Sequence, residues 1–277
     1  MITLKKIKSS MVIVMLILSI ALVGCVNSGA QSKKSSTEKS NKLLTKSEFG
    51  QMFSNANKFE GRKVDYYAKV SVDPEKDSNV TYIQAFADPD NSEQNTIVKI
   101  KNPNFDVKKD DIIHVVGKVV EKHEGKNAFG GDIVAPVISA SKIEKTDYAT
   151  AFDPAKKTIT VNKQINQNGY VVQLNKVEFG TKNTRVYVTV TNSSNAQINF
   201  NTFEAKATQG DKQYDVDSGD LNYPEMKTEI LPGVKEDGII IFKPIDYNGE
   251  NIKFIFTGSS DDFEQQFTPF TFDVNVK

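Results

Sequence analysis

The chain has 277 residues, 35 Lys and Arg against 35 Asp and Glu, two His, one Cys and no Trp. This balance excludes a chain that is strongly basic overall, as a nucleic-acid binder would be. The single thiol excludes an internal disulfide, and the length suits two domains, each with its own core.

The N-terminus carries Lys5, Lys6 and Lys8 and no acid before Cys25, and Met11 to Leu22 is apolar apart from Ser19. A basic start followed by a short apolar run is the pattern of a secretory signal. Twelve helical residues span about 18 Å, short of the ~30 Å hydrocarbon core of a bilayer. Leu22, Val23, Gly24 and Cys25 follow. This tetrapeptide resembles the lipobox of bacterial lipoproteins and matches it at every position. The resemblance implies a diacylglyceryl group on the Cys25 thiol, removal of residues 1–24, and Cys25 as the new N-terminus. It places the chain on the extracytoplasmic face of the cell membrane, in a Gram-positive type of envelope. An ordinary signal peptide, or an uncleaved anchor, with an incidental cysteine is the other reading of these residues. Two acyl chains hold a protein on a membrane where one is marginal. Without Lys5, Lys6 and Lys8 the mature chain counts 32 basic against 35 acidic residues, a net charge of −3.

Residues 25–43 read as the lipidated cysteine and a flexible tether. Val26 to Lys42 is rich in Ser, Lys and Asn without apolar periodicity, and its reach is on the order of 20–25 Å. Lys33, Lys34, Lys39 and Lys42 face Glu38 alone, a charge that favours an anionic leaflet but equally suits a solvated spacer.

Residues 44–146 read as a small barrel with one short leading helix. Thr45 and Glu48 fit a capping box, and Phe49, Met52, Phe53 and Ala56 share one face at helical spacing. Val64, Tyr66, Ala68, Val70 and Val72 alternate with polar partners, a half-buried strand. Runs at Val80–Ala87, Thr96–Lys101, Asp111–Glu121 and Ile133–Ile143 complete five strands. Gly117 marks a bend or bulge, and Pro136 an edge or kink. The stretches EGRKVDYYAKV, DDIIHVVGKVV and AFGGDIVAPVISASKIE resemble OB-fold modules of extracytoplasmic bacterial proteins.

Asp147 to Lys157 reads as a connector. Residues 155–277 read as strands and turns: Gly169–Phe179, Arg185–Asn192, two strands about Gln209–Asp211, then Gly238–Phe242, NIKFIF and PFTFDVNV. In the second of these, Val186, Val188 and Val190 share one face and Arg185, Tyr187 and Thr189 the other. About seven strands with regular turns predict a β-sandwich. GYVVQLNKVEF, RVYVTVTNSSNAQINF, GDKQYDV and LPGVKEDGIIIF resemble, in order, the telokin-like, immunoglobulin-like domain of unknown function 4352. The expected fold is therefore mainly β, an OB-like barrel followed by an immunoglobulin-like sandwich. That resemblance implies an extracytoplasmic home and no activity.

Candidate chemistry is sparse. His114 lies inside an apolar strand, and His123 adjoins Glu124, but neighbours on a strand point to opposite faces. No Gly-x-Ser-x-Gly elbow and no phosphate loop is present. Asp215 and Asp217 open like a calcium loop, yet Gly219, Asp220 and Met226 stand where an EF-hand needs an acid or Asn, Gly and Glu. A surface calcium site from Asp215, Asp217 and Asp220 competes with a solvated acidic loop. Between Gly61 and Lys145, 13 basic residues meet 14 acidic ones, and the basic groove of a single-strand binder is missing, although Tyr67 and Tyr82 are candidate stacking residues. The expectation is a binding or adaptor lipoprotein without cofactor, meeting an envelope or extracellular protein, peptide or glycan; a cell-envelope enzyme with an unrecognised site is the alternative.

Overall fold

The computed structural model describes residues 41–126, 132–219, 222–224 and 226–277. Leu22, Val23, Gly24 and Cys25 lie outside them, as does Asp220. The chain is mainly β, as expected.

Helix α1 (Lys46–Met52) starts at the predicted capping box: the Thr45 side chain accepts from the Glu48 N–H, and the Glu48 carboxylate accepts from the Thr45 N–H. The α-helix stops at Met52, and Ala56 falls in a separate 3-10 turn, Ala56–Phe59. Met52, Ala56 and Phe59 are buried, with Phe49 and Phe53 packed beside them on the barrel core. Arg62 grips Glu48 with Nη1 at 3.1 Å and Nη2 at 2.9 Å. That grip, with the Thr45 N–H, takes the Glu48 carboxyl from an ordinary 4.5 to about 2. A carboxyl whose pKa is depressed on folding stabilises above its unfolded pKa, and the gain fades as pH falls through the folded one. The melting-temperature gap between wild type and Glu48→Gln should therefore be full above pH 4.5 and close towards pH 2. A gap that stays constant across that window contradicts the assignment.

Five strands form the first domain: β1 (Lys63–Val70), β3 (Thr81–Asp88), β4 (Glu93–Ile100), β5 (Ile112–Lys126) and β6 (Asp132–Thr146), with a two-residue β2 (Glu75–Lys76) beside β3. The pairing order is β1-β5-β6-β4-β3, and a short β3–β1 pairing at Lys69↔Phe86 and Val70↔Ala85 returns the order to its start. A partly open five-stranded barrel has this form. The β5–β6 ladder shifts register between Val116 and Gly117, the predicted bulge. A Cβ at Gly117 would sit 2.5 Å from the Ser139 carbonyl oxygen, where only backbone movement relieves the clash. Gly117→Ala should cost about 1–3 kcal/mol, read from the urea midpoint. Pro136 lies just before the three residues through which β6 meets β4, Val137–Ser139. On its other side Pro136 stands opposite Lys122 of β5.

The connector is not simple linker. Tyr148–Phe152 forms helix α2, with Asp147 as N-cap accepting from the Thr150 N–H at 2.8 Å. A strand that the apolar runs did not mark, β7 (Lys157–Gln167), precedes the predicted run at Gly169–Phe179. This strand is the polar edge of a sheet ordered β14 (Lys235–Phe242), β9 (Thr184–Asn192), β8 (Tyr170–Phe179), β7.

The opposing layer has two parts. One is β12 (Lys212–Asp215), β11 (Lys206–Gln209), β15 (Ile252–Phe256) and β17 (Phe270–Val274). The other is β13 (Glu229–Ile230), β10 (Ile198–Phe200) and β16 (Gly258–Ser260). Only Thr257 separates β15 from β16, so one run of chain serves both parts. Inward residues of both layers, among them Val172, Val188, Phe200, Phe242, Phe254 and Phe272, make one core, the packing of a β-sandwich.

Candidate binding groove

The outer face of β9 is the first surprise of the sandwich. Arg185 is fully buried, as is its ion-pair partner Asp153 at 1% exposure. Arg185 Nη1 meets the Asp153 carboxylate at 2.9 Å and the Asn183 side-chain oxygen at 3.0 Å, and Nε meets Glu178 at 3.1 Å. The second Asp153 oxygen accepts the N–H groups of Thr181 and Lys182. Gly180 permits this approach, because a Cβ there would collide with the Asp153 carboxylate. Burial pushes the Glu178 carboxyl up, but Lys176, Tyr187 and Arg185 together outweigh it and hold the group below its usual range.

This network lies where the barrel docks. Ile112 of β5, Tyr148 and Ala149 of α2, Tyr223 and Ile241 of β14 form a small apolar cluster of their own. The β3–β4 hairpin adds Asp90, which accepts from Tyr148 Oη and Lys182 Nζ. The barrel thereby occupies the face that Arg185 and Ile241 share.

Beside it, Val216–Gly219, Tyr223 and Met226–Glu229 lie along the edge of the sandwich. Val216 bridges Phe242, and the Asp217 N–H donates to the Ile241 carbonyl at 2.8 Å, which continues the β14 edge. Tyr223 goes to the outer face, while Met226 enters the sandwich core. Gly238 makes room for it, since a Cβ there would meet Met226 Cβ at 2.5 Å. Between these stretches and the body runs a groove of about 620 Å³, lined by Val216, Met226 and Ile239–Ile241 and by the polar Asp217, Ser218, Lys227, Thr228 and Glu229. Phe203 lines it at 73% exposure. Its volume is in the range of a ligand or peptide site, and its lining mixes apolar side chains with polar and charged ones.

The residues singled out in the sequence stand elsewhere. His114 Nε2 is 2.6 Å from Asp65 and Nδ1 3.8 Å from Glu144, with Tyr67 tilted against its ring at 4.7 Å. The two carboxylates take opposite nitrogens and do not converge. His123 is exposed over Gly125, and Glu124 pairs with Lys122 instead. Asp215 is held by Lys206, and Asp217 accepts from the Gly219 N–H. Among the described residues no three His, Cys, Asp or Glu side chains are gathered to hold a metal. Tyr82 bonds Asp77 and carries Lys99 near its ring. Among the described residues no helix is long and apolar enough to cross a membrane. The groove itself escaped the sequence reading. Its one signal was Phe203 set between Thr202 and Glu204.

No family model and no curated protein matches the chain. The crystal structure of a functionally unknown protein from Listeria monocytogenes EGD-e aligns with a TM-score of 0.33 at 10% identity, over 45% of this chain and 88% of that one.

Proposed function

We propose that the protein is a lipid-anchored binding or adaptor protein of the extracytoplasmic membrane face. Cys25 carries the lipid and becomes the N-terminus, the tether lifts the two domains from the bilayer, and the sandwich groove takes an apolar segment of an envelope or extracellular protein. The basic start, the twelve-residue apolar run and Leu22-Val23-Gly24-Cys25 support the anchor. The observation that carries the binding role is the groove with Phe203 exposed at its lip. Apolar surface of this kind is stabilised when a partner covers it.

The test is a photoreactive phenylalanine analogue at position 203 of the full chain in its native cell, with the same group at Val72 of the barrel as control; Val72 is also exposed. A discrete adduct at 203, absent at 72 and lost when Ile239→Lys charges the groove lining, supports the reading. Identical labelling at both positions contradicts it.

A further inference from the structure

The end of the sandwich opposite the barrel is built as a second contact surface. Strand β10 is antiparallel to both of its neighbours, so Ile198 faces Ile230 on one side and Ser260 on the other. Leu231 and Asp261 therefore leave the sheet on either side of Gln197, whose carbonyl accepts the Asp261 N–H at 3.0 Å. A buried amide locks this end. Asn192 Nδ2 donates to the carbonyls of Ala196 and Ile230, both at 2.8 Å, and its Oδ1 accepts from the Ser194 N–H and Oγ. Its backbone bonds Gly233 and Val234.

Asn192 thus ties the 193–197 and 231–234 loops together, and Gln197 joins the turn at 261–267 to them. On this fixed frame stand Leu231 at 59%, Val234 at 41% and Phe263 at 90% exposure. They are three of the seven large hydrophobics exposed among the described residues, and all three stand on loops at this end. The three loops contain Asp261, Asp262 and Glu264, with Asp261 and Asp262 also accepting hydrogen bonds within the tip, and the one adjoining cation is Lys235 at the start of β14. Strand β9 separates the end from the Arg185 junction by roughly 25 Å.

From this arrangement we infer that the tip docks a cationic segment of a partner protein, one that sets aromatic or aliphatic side chains on Leu231, Val234 and Phe263 and Lys or Arg beside the acids. The inference rests on the binding-protein reading and adds a second surface to it, at the other end of β10 from Phe203. Apolar anchors ringed by charge bind well when the loops are already fixed. An anionic lipid surface would be repelled by the same three acids.

The experiment uses the mature lipidated chain in phosphatidylcholine nanodiscs, titrated with four short peptides: Lys–Phe, Lys–Ser, Glu–Phe and Ser–Phe. The Lys–Phe peptide should bind about tenfold more tightly than the others. Phe263→Ser and Glu264→Lys should each remove most of that preference, and added salt should weaken it. Melting temperatures confirm that both variants fold. Equal affinities, or a preference untouched by both substitutions, overturn the proposal. So does a photoreactive group at 263 that labels lipid in nanodiscs containing phosphatidylglycerol. If the tip fails while the adduct at 203 stands, the second surface falls and the binding role survives; if both fail, the binding role falls too.

Discussion

Arg185→Ala should lower the stability of the sandwich by about 3–5 kcal/mol. The guanidinium is fully buried, and its removal leaves Asp153 at 1% exposure without its counter-charge and Glu178 short of a donor. Truncating one partner of a buried pair costs more than the pair contributes, because the survivor remains desolvated. Among the described residues Arg185 Nη2 finds no acceptor, so the network there is incompletely satisfied. Arg185→Met with Asp153→Asn should therefore lose less than the sum of the single changes, since Asn keeps an oxygen for the Thr181 and Lys182 N–H groups and no lone charge is left beside it. Urea unfolding followed by far-UV circular dichroism measures this. A loss under about 1 kcal/mol for Arg185→Ala would place the cluster in the class of exposed ion pairs and contradict the burial.

Phe254→Ala should cost a similar amount, about 3–5 kcal/mol. Phe254 is fully buried on β15, between Ala207 of β11 and Phe272 of β17, and its ring lies 5.7 Å from Phe242 of the opposing layer. Both layers of the sandwich meet at that ring. Its loss opens a cavity that the strands on either side cannot close. Phe263→Ala deletes the same ring from an exposed turn and should stay within about 0.5 kcal/mol of wild type. The urea midpoint should fall for Phe254→Ala at unchanged slope. Equal effects from the two changes would refute the assignment of inside and outside.

These two phenylalanines also show how far the sequence could be read. Alternation in Val64–Val70 and Val186–Val190 placed residues on faces because strand side chains have a period of two. The Thr45–Glu48 box and Gly117 marked backbone events that depend on a few neighbours. Alternation does not say what covers the second face. Arg185 shares a face with Tyr187 and Thr189 as expected, yet at Arg185 that face is buried beside α2, Tyr223 and the barrel, while Tyr187 stays partly exposed beneath Lys176. α2 itself, five residues long, is too short to show periodicity. β7 is an edge strand with only Ile159, Val161 and Ile165 partly buried against the core, so its apolar signal is thin. Phe203 and Phe263 look like core residues in composition, and their exposure follows from loop positions that only the strand pairings reveal. The groove likewise brings Val216, Met226 and Ile240 together from distant positions.

The lipid anchor at Cys25 is the claim on which localisation and partner class both depend. Its most direct test is the intact mass of the protein taken from the detergent phase of its native cells, with Cys25→Ala beside it. The account predicts loss of residues 1–24, a diacylglyceryl adduct on the remaining chain, and a Cys25→Ala protein that is either released or retained as unprocessed precursor. A soluble wild type with an unmodified thiol would contradict it.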